Sequence, residues 1–341
     1  MGRYIMREPD FNNLLKVLNK KVPDRPTLFE FFLNDKLYRL LAGYVPEYED
    51  KLKYNKFLVD AFKNAGYDYA DVKGSDFSFP AGSIHHGKTI SLNEGSVIHD
   101  RESFEKYKWQ NPEDYDYTWL DKIKNDLPDG MKLIVWGPGG VLENVTSLVG
   151  YDNLCYMLFE DPELVQDIFD AVGSKLLRYY EICSTFDSVG ALISNDDWGF
   201  NTSTLLNPKH LRKYVFPWHK KIVQTAHSAG KPAILHSCGN LKNVMEDMIE
   251  DMKYDAKHSY EDKIMPVEDF YEKYNPRIAV LGGIDVNFVC HSTPEEIKKR
   301  SRAMIERAQD RGGYALGTGN SVPEYVPIEN YLAMISVISG T

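Results

Sequence analysis

Short apolar runs alternate with amphipathic stretches along the chain after residue 66. Seven of these runs have the length of a strand and end in small or polar residues; they cover residues 69–77, 131–137, 188–194, 232–235, 253–258, 278–284 and 314–317. Between them, a capping residue directly before a proline predicts three helix starts, at Asp161-Pro162, Asn207-Pro208 and Thr293-Pro294. Pro217 predicts a kink in the second of these helices. Strands that alternate with helices predict a parallel sheet.

The first 66 residues have a different pattern, which is typical of helices. Residues 11–18 are amphipathic, and Pro23-Asp24-Arg25-Pro26 interrupts the pattern. An apolar pattern resumes over residues 27–41, and a further helix is predicted over residues 55–65. We therefore divide the chain into an N-terminal helical extension, residues 1–66, and a barrel domain, residues 67–341.

The number of strands bears on whether the sheet closes. Seven runs are one short of a (β/α)8 barrel, and residues 84–98 are the candidate for the eighth strand or for an extension. The rival fold, a doubly wound open sheet, usually has a Gly-x-Gly-x-x-Gly turn after its first strand. Gly137-Pro138-Gly139-Gly140 and Gly317-Thr318-Gly319 are the nearest matches, and neither has that spacing. The prediction is an α/β fold, a (β/α)8 TIM barrel with an N-terminal helical extension.

Composition and charge narrow the classes of function. The 341 residues include 40 Lys and Arg and 50 Asp and Glu, and the net charge of −10 argues against nucleic acid or an anionic membrane as the partner. No apolar stretch has the length of a signal peptide or a membrane span. The four cysteines lack the dense spacing of a disulfide framework, so we expect a cytoplasmic protein with free thiols.

The sharpest chemical signal lies at the end of the fourth apolar run. His236 and Cys238 are alternate residues, so in a strand their imidazole and thiol project together from one face. In a barrel of this type that point is the active-site mouth, because the site is built at the carboxyl ends of the strands. The pair can hold zinc, although two ligands make an incomplete zinc site. The alternative is a buried structural cysteine beside a hydrogen-bonded histidine.

Other polar residues near strand ends are further candidates. Asp196 and Asp197 point to opposite faces if the chain is still extended there, so one could be a general acid or metal partner while the other caps a helix; a plain loop pair is the alternative. Trp198 could form the wall of a flat ligand's site. His258 ends the fifth run, where it is either a hydrogen-bonded polar residue or a direct participant. Cys290 lies beyond a strand end and is a poorly placed third ligand.

Several motifs, spread over nearly the whole chain, together resemble one family. They are Arg7-Glu8-x-x-Phe11 before Pro23-Asp24-Arg25-Pro26, Asn195-Asp196-Asp197-Trp198-Gly199, Asn207-Pro208, His227-x-x-Gly230, His236-Ser237-Cys238-Gly239, Gly282-Gly283-Ile284-Asp285 and Pro327-Ile328-Glu329-Asn330. On these motifs the sequence resembles the uroporphyrinogen decarboxylase (URO-D) superfamily. Within it, the sequence is most similar to the corrinoid-dependent methyltransferases that include the methylcobamide:coenzyme M enzymes. The resemblance implies a (β/α)8 barrel with N-terminal helices, in agreement with the pattern of strands and helices.

The branches of this family imply different substrates. Decarboxylases bind a polycarboxylate with the arginines of an Arg-Gln-Ala-Gly-Arg-Tyr stretch after the first helix. Here the residues after Pro26 are Thr27-Leu28-Phe29-Glu30-Phe31-Phe32-Leu33, which include no arginine. In the methyltransferase branch, His-x-Cys and a distant third cysteine hold zinc. His236 and Cys238 match the first two ligands, but residues 317–323 contain no cysteine.

The resemblance implies a methyltransferase of a corrinoid-dependent system, which moves a methyl group between a corrinoid carried by a partner protein and a small-molecule donor or acceptor. His236 and Cys238 would bind zinc, and the third ligand would be Asp197, His258 or a glutamate. Asp197 and His258 are the expected catalytic residues. The expected substrate-binding residues are Trp198, Asp285 and Asn320.

Two alternatives stay open at this stage. The first is decarboxylation of a tetrapyrrole or a related carboxylate, which requires a cluster of cations in the barrel mouth. The second is a barrel that binds a corrinoid, a tetrapyrrole or a partner protein without catalysis, which the incomplete ligand set allows.

Overall fold

The computed structural model describes residues 7–82 and 92–338, and in this part of the chain one seven-stranded sheet is present. All neighbouring strands are parallel and follow one another in chain order. The strands are β1 (Tyr69–Lys73), β2 (Lys132–Trp136), β3 (Val189–Asn195), β4 (Ala233–His236), β5 (Ala256–His258), β6 (Ala279–Leu281) and β7 (Tyr314–Ala315). Each lies within or overlaps one of the seven predicted runs, so the strand prediction is confirmed.

Helices precede the sheet and connect its strands. The α-helices are α1 (Phe11–Leu18), α2 (Asp35–Ala42), α3 (Lys51–Asn64), α4 (Arg101–Lys106), α5 (Trp119–Lys122), α6 (Val141–Val149), α7 (Tyr151–Glu160), α8 (Pro162–Ser184), α9 (Pro208–His210), α10 (Phe216–Ser228), α11 (Val267–Tyr274), α12 (Val286–His291), α13 (Pro294–Ala308) and α14 (Ile328–Ile335). Short 3₁₀ turns are Pro112–Asp114, Ile123–Asn125 and Ser336–Ile338, and π-helical turns are Leu211–Val215 and Asp247–Met252.

The predicted helix starts form through their capping residues. The Asp161 carboxylate accepts the Leu164 N–H (2.9 Å) at the start of α8, and Thr293 and Glu296 make a reciprocal capping box at the start of α13. The predicted kink takes the form of the π-helical turn that immediately precedes α10, because Pro217 has no N–H to donate to the preceding turn.

The N-terminal extension closes the barrel between β7 and β1. Leu28 pairs in parallel with Leu316, which follows β7, and the Phe29 N–H donates to the Leu316 carbonyl (2.8 Å). On the other side, the Tyr69 hydroxyl of β1 donates to the Glu30 carbonyl (2.6 Å) and accepts from the Glu30 N–H (2.8 Å). A side chain thus replaces the backbone ladder at this seam, and the fold is the predicted (β/α)8 TIM barrel with an N-terminal helical extension.

The structure differs from the sequence-based prediction in two segments. Residues 27–33, which continue the helical pattern in sequence, are not helical, because their backbone groups bond to the sheet edges. In the candidate eighth strand, residues 84–91 lie outside the described residues, and residues 92–98 form a turn and irregular chain.

At the amino ends of the strands, charged residues fasten the extension to the barrel. Asp68, which precedes β1 and is buried, accepts hydrogen bonds from Arg7 (2.9 Å), Arg25 (2.7 Å) and the Asp10 N–H (2.9 Å). Arg7 also donates to the Pro26 carbonyl (2.8 Å). The carboxylate therefore has two cationic partners and three donors.

Within residues 7–82 and 92–338, no helix has the length and apolarity that crossing a membrane demands.

Candidate metal centre

Three potential ligands meet at the carboxyl ends of β3 and β4. His236 is the last residue of β4, Cys238 follows two residues later, and Asp197 lies two residues beyond β3. Their ligand atoms all lie within 4.8 Å of one another. His236 Nε2 and Cys238 Sγ are 3.7 Å apart, and a tetrahedral zinc ion places its nitrogen and sulfur ligands about 3.6 Å apart. The donor set and its spacing therefore suit zinc.

Hydrogen-bond donors surround the Cys238 sulfur. The Ser259 hydroxyl donates to Sγ at 3.5 Å, and the Asn320 amide donates from Nδ2 at 3.4 Å. The Cys238 backbone N–H in turn donates to Asp197 Oδ1 (2.8 Å). Burial and the neighbouring Asp197 carboxylate raise the pKa of the Cys238 thiol to about 12. A bound cation would reverse this shift, because metal coordination favours the thiolate.

A chain of hydrogen bonds fixes which nitrogen of His236 carries the proton. His236 Nδ1 lies 2.8 Å from His258 Nδ1, and His258 Nε2 lies 3.3 Å from the Thr318 carbonyl oxygen. Burial lowers the pKa of both imidazoles, that of His258 to about 3, so both rings are neutral. A carbonyl only accepts, so His258 holds its proton on Nε2 and His236 donates from Nδ1. The lone pair of His236 Nε2 consequently faces the sulfur without a proton.

The chain continues to a buried glutamic acid in the N-terminal extension. Glu30 Oε1 accepts the Thr318 N–H (2.7 Å), and Glu30 Oε2 lies 2.7 Å from the Thr318 hydroxyl. That hydroxyl also bonds the Asn320 carbonyl, and its single proton cannot serve both acceptors, so a protonated Glu30 suits this arrangement. In agreement, burial raises the pKa of Glu30 to about 8, and the acid is protonated at neutral pH.

The two adjacent aspartates have separate roles, and Asp196 lies away from the metal cluster. It is fully buried and accepts the N–H groups of Leu142 (3.0 Å) and Glu143 (2.9 Å) at the start of α6. It also bonds His219 Nε2 (2.8 Å). Asp196 thus caps a helix on the neighbouring connection, whereas Asp197 turns towards Cys238.

The structure brings only some of the other predicted residues to the cluster. Asn320 contacts the sulfur and His258 contacts His236, as described above. Trp198 is fully buried, and its ring packs against Phe216 and His219 at centroid distances of 4.9 Å, so no face is open to a ligand. Asp285 accepts the N–H of Phe288 (2.9 Å), which caps α12, and that of Asp262 (2.9 Å).

An aromatic wall adjoins the ligands, and sequence reasoning did not identify it. The Phe31 ring lies 4.4 Å from the His236 ring and 5.4 Å from the Trp136 ring, and Phe32 stacks on Trp136 at 6.3 Å. Lys73, at the end of β1, places its ammonium 4.8 Å above Trp136. The position of Trp136 as the last residue of β2 was the one available signal.

Sequence reasoning also assigned no role to Glu30, Thr318 and Ser259. Glu30 lies 288 residues from Thr318 in the chain, so no local pattern relates them. Ser259 follows the predicted strand end at His258, which was a usable signal. Its φ of +100° is a conformation that side-chain-bearing residues avoid, and such strain is typical of functional sites.

The family and structure comparisons agree on this fold. The family model described as uroporphyrinogen decarboxylase (URO-D) matches residues 70–340. Among solved structures, a methyltransferase from Methanosarcina mazei aligns with a TM-score of 0.69 and 13% identity over 97% of this chain and 98% of its own. A protein from Listeria monocytogenes assigned as a vitamin-B12-independent methionine synthase aligns with a TM-score of 0.51 and 12% identity over 98% of each chain. A search of curated protein sequences gives no match.

Proposed function

The chain belongs to the uroporphyrinogen decarboxylase family, and from that premise we propose that it is a zinc-assisted methyltransferase of a corrinoid-dependent system. The methyl group would pass between a corrinoid carried by a partner protein and a small-molecule donor or acceptor. Zinc would be held by Asp197, His236 and Cys238, with Asp197 in place of the third cysteine that the sequence lacks. As an acidic chain without a membrane-spanning helix among its described residues, it would act in the cytoplasm.

The main support for this proposal is the arrangement of the three potential zinc ligands. His236 Nε2 has no proton and faces the Cys238 sulfur at 3.7 Å, and Asp197 lies beside them. A histidine whose other nitrogen is held by a hydrogen bond is the usual form of a zinc ligand. Zinc bound there would act as a Lewis acid that lowers the pKa of a thiol or alcohol.

The surrounding residues support the same chemistry through their own contacts. His258 keeps His236 in the tautomer that binds metal, and Ser259 and Asn320 donate to the sulfur and so favour its anionic form. Burial raises the pKa of Asp197, so a metal ion would compete with a proton for this carboxylate. The Phe31 and Trp136 rings would exclude water from one side of the site.

The arrangement disfavours decarboxylation of a polycarboxylate. In residues 7–82 and 92–338, no arginine hydrogen-bonds to the three ligands or to the chain from His258 to Glu30. Arg7 and Arg25 instead bind Asp68 at the opposite end of the barrel. A substrate with several carboxylates requires several cations at its site, and Lys73 alone does not supply them.

Zinc content and methyl transfer in two cysteine variants test the proposal. We expect wild-type protein to copurify with about one zinc per chain. It should also demethylate methylcobalamin with a thiol or methylate cob(I)alamin from a methyl donor, as followed by corrinoid absorbance. Cys238→Ala should lose the zinc and reduce the rate about 1,000-fold, since a Lewis acid contributes several kcal/mol to such a barrier.

Cys290→Ala is the matched control, because this half-exposed thiol lies outside the cluster. It should keep both zinc and activity. The proposal is wrong if Cys238→Ala transfers methyl groups as fast as Cys290→Ala, or if neither protein holds zinc and both are active.

A further inference from the structure

A buried cation lies on the outer face of β5, behind the metal centre. Alternate residues of a strand face opposite sides, and since His258 points into the barrel, Lys257 points away from it. Lys257 is 4% exposed, and its ammonium donates to the carbonyls of Ser259 and Ser237, the latter at 3.4 Å. Burial lowers the pKa of Lys257 to about 8, so the side chain is still a cation at neutral pH.

This cation lines a pocket with an apolar wall. The pocket has a cavity volume of about 80 Å³ and opens into solvent. The ammonium lies 4.4 Å from the Tyr260 ring centroid and 5.7 Å from that of Phe270. The remaining wall is formed mainly by Leu241, Met245, Ile264, Met265 and Tyr274. Because the cavity is small and open, its apolar wall suits a ligand no larger than one aromatic ring that lies partly in the mouth.

The charge of Lys257 is only partly balanced. Among residues 7–82 and 92–338, no carboxylate lies within 4.0 Å of its ammonium, and the Asp197 and Glu261 carboxylates act on it from beyond that distance; Glu261 lines the same pocket. Lys242 is a second cation, exposed at the rim. A buried charge is costly unless it is paired, so an anionic ligand would be favoured here.

We propose that this pocket is a second ligand site, distinct from the barrel mouth, that binds a small aromatic carboxylate with its carboxylate group on Lys257 and its ring between the apolar side chains. None of the three metal ligands lines the pocket. The site therefore goes beyond the proposed methyl transfer and does not depend on it.

The pocket is nevertheless linked to the metal centre through one residue. The Ser259 carbonyl accepts from Lys257, while the Ser259 hydroxyl donates to the Cys238 sulfur (3.5 Å). A carboxylate that drew the ammonium towards itself would loosen the contact that holds this strained residue. Binding in the pocket would thereby change the hydrogen bond from the Ser259 hydroxyl to the Cys238 sulfur.

Fluorine NMR with para-fluorobenzoate and para-fluorobenzamide tests the site, because the two probes share their shape and differ in charge. With full-length protein we expect saturable line broadening of the benzoate and at least about tenfold weaker binding of the benzamide. The protein should be compared before and after treatment with a chelator, because a carboxylate could also bind a metal. Equal binding of the two probes, or loss of benzoate binding with the metal, would overturn the proposal.

Variants of the pocket complete the test. Met265→Trp fills the pocket and leaves Lys257 in place, and it should abolish benzoate binding. Lys257→Met keeps the shape of the side chain without its charge and should weaken benzoate about tenfold while leaving benzamide unchanged. Lys242→Gln is the control at the exposed rim and should bind benzoate nearly as wild type does. If Met265→Trp binds benzoate normally, or Lys242→Gln loses more affinity than Lys257→Met, the site is not the one proposed.

Discussion

The two ends of the barrel bury polar groups in opposite ways. At the amino ends of the strands, Asp68 is buried with two arginines, and every contact opposes an anion to a cation or a donor. At the carboxyl ends, Glu30, His236 and His258 are equally buried, yet each is held neutral, and among residues 7–82 and 92–338 no cation hydrogen-bonds to them. Ion pairs hold the chain segments together at the amino ends of the strands, whereas the carboxyl ends keep buried titratable groups in their uncharged forms.

The difference indicates that the amino ends of the strands stabilise the fold and that the carboxyl ends are suited to bind a ligand. A compensated cluster gains nothing from a ligand, because its charges are already satisfied. The cluster of Asp197, His236 and Cys238 has the opposite character, since burial shifts each pKa towards the uncharged form. A metal ion would reverse the shifts of the two acids and use the neutral imidazole, so that end of the barrel is complementary to a cation.

The largest effect is expected from Asp68→Ala. It leaves Arg7 and Arg25 without their anion, and breaking a largely buried ion pair should lower the free energy of unfolding by about 2–4 kcal/mol. Urea unfolding measures this loss, and zinc per folded chain should not change. Asp24→Ala is the control, because Asp24 bonds Lys16 at the surface. If both variants unfold at the same urea concentration, charge pairing does not fasten this end.

At the other end, His258→Phe should weaken zinc binding about 10- to 100-fold while costing less stability. The phenyl ring fills the space but cannot accept the proton of His236 Nδ1, so the tautomer of His236 is no longer fixed. A competition titration with a chromophoric chelator measures the affinity. His227→Phe, a change at a surface histidine, should bind zinc as wild type does. If the zinc affinity of His258→Phe is unchanged, the hydrogen bond from His236 to His258 does not contribute to zinc binding.

The protonation of Glu30 gives a pH-dependent test. Its pKa is raised from 4.5 to about 8 in the folded chain, so the unfolded chain releases this proton first and wild-type stability is lost as pH rises from about 4.5 to 8. Glu30→Gln presents the same donor and acceptor without a proton to lose. We expect it to match wild type near pH 5 and to melt about 2–5 °C higher than wild type near pH 8. A difference in melting temperature that is the same at both pH values would mean that Glu30 is ionised.

The smallest effect is expected from Asp285→Ala. Loss of the cap on α12 should cost about 1 kcal/mol and leave zinc binding unaltered. Asp285→Asn, which keeps a capping oxygen, should restore most of the stability. If the alanine variant instead lowers methyl-transfer turnover without changing the unfolding free energy, Asp285 acts on the substrate.

Much of the fold could be predicted from the sequence, because each strand and most helices are local features. Apolar runs placed all seven strands, and capping residues before prolines placed the starts of α8 and α13. The closing segment could not be predicted in the same way. Residues 27–33 continue an apolar pattern that is compatible with a helix, and only the open seam between β7 and β1 makes an extended chain more favourable.

In the candidate site, too, the residues related by a local sequence pattern could be predicted, and those that depend on distant contacts could not. His236 and Cys238 were found because alternate residues at the end of a strand project to the same side, and Asp197 because it follows the neighbouring strand. Glu30 was not found, because its role depends on a contact across the closed barrel. Trp198 stands next to Asp197 in sequence, yet it turns to the opposite side of the strand end and packs under α10.

The seam at Leu28 has a consequence for how the protein is made. Glu30 is synthesised early and Thr318 late; they lie 288 positions apart in the chain, and the segment between them must be ordered before they can meet. Contacts of such long sequence separation form slowly, since the entropy of the intervening chain must be lost first. The chain of hydrogen bonds from Glu30 through Thr318 and His258 to His236 is therefore complete only at the end of folding. A chain whose barrel has not closed would lack the contact between Glu30 and Thr318.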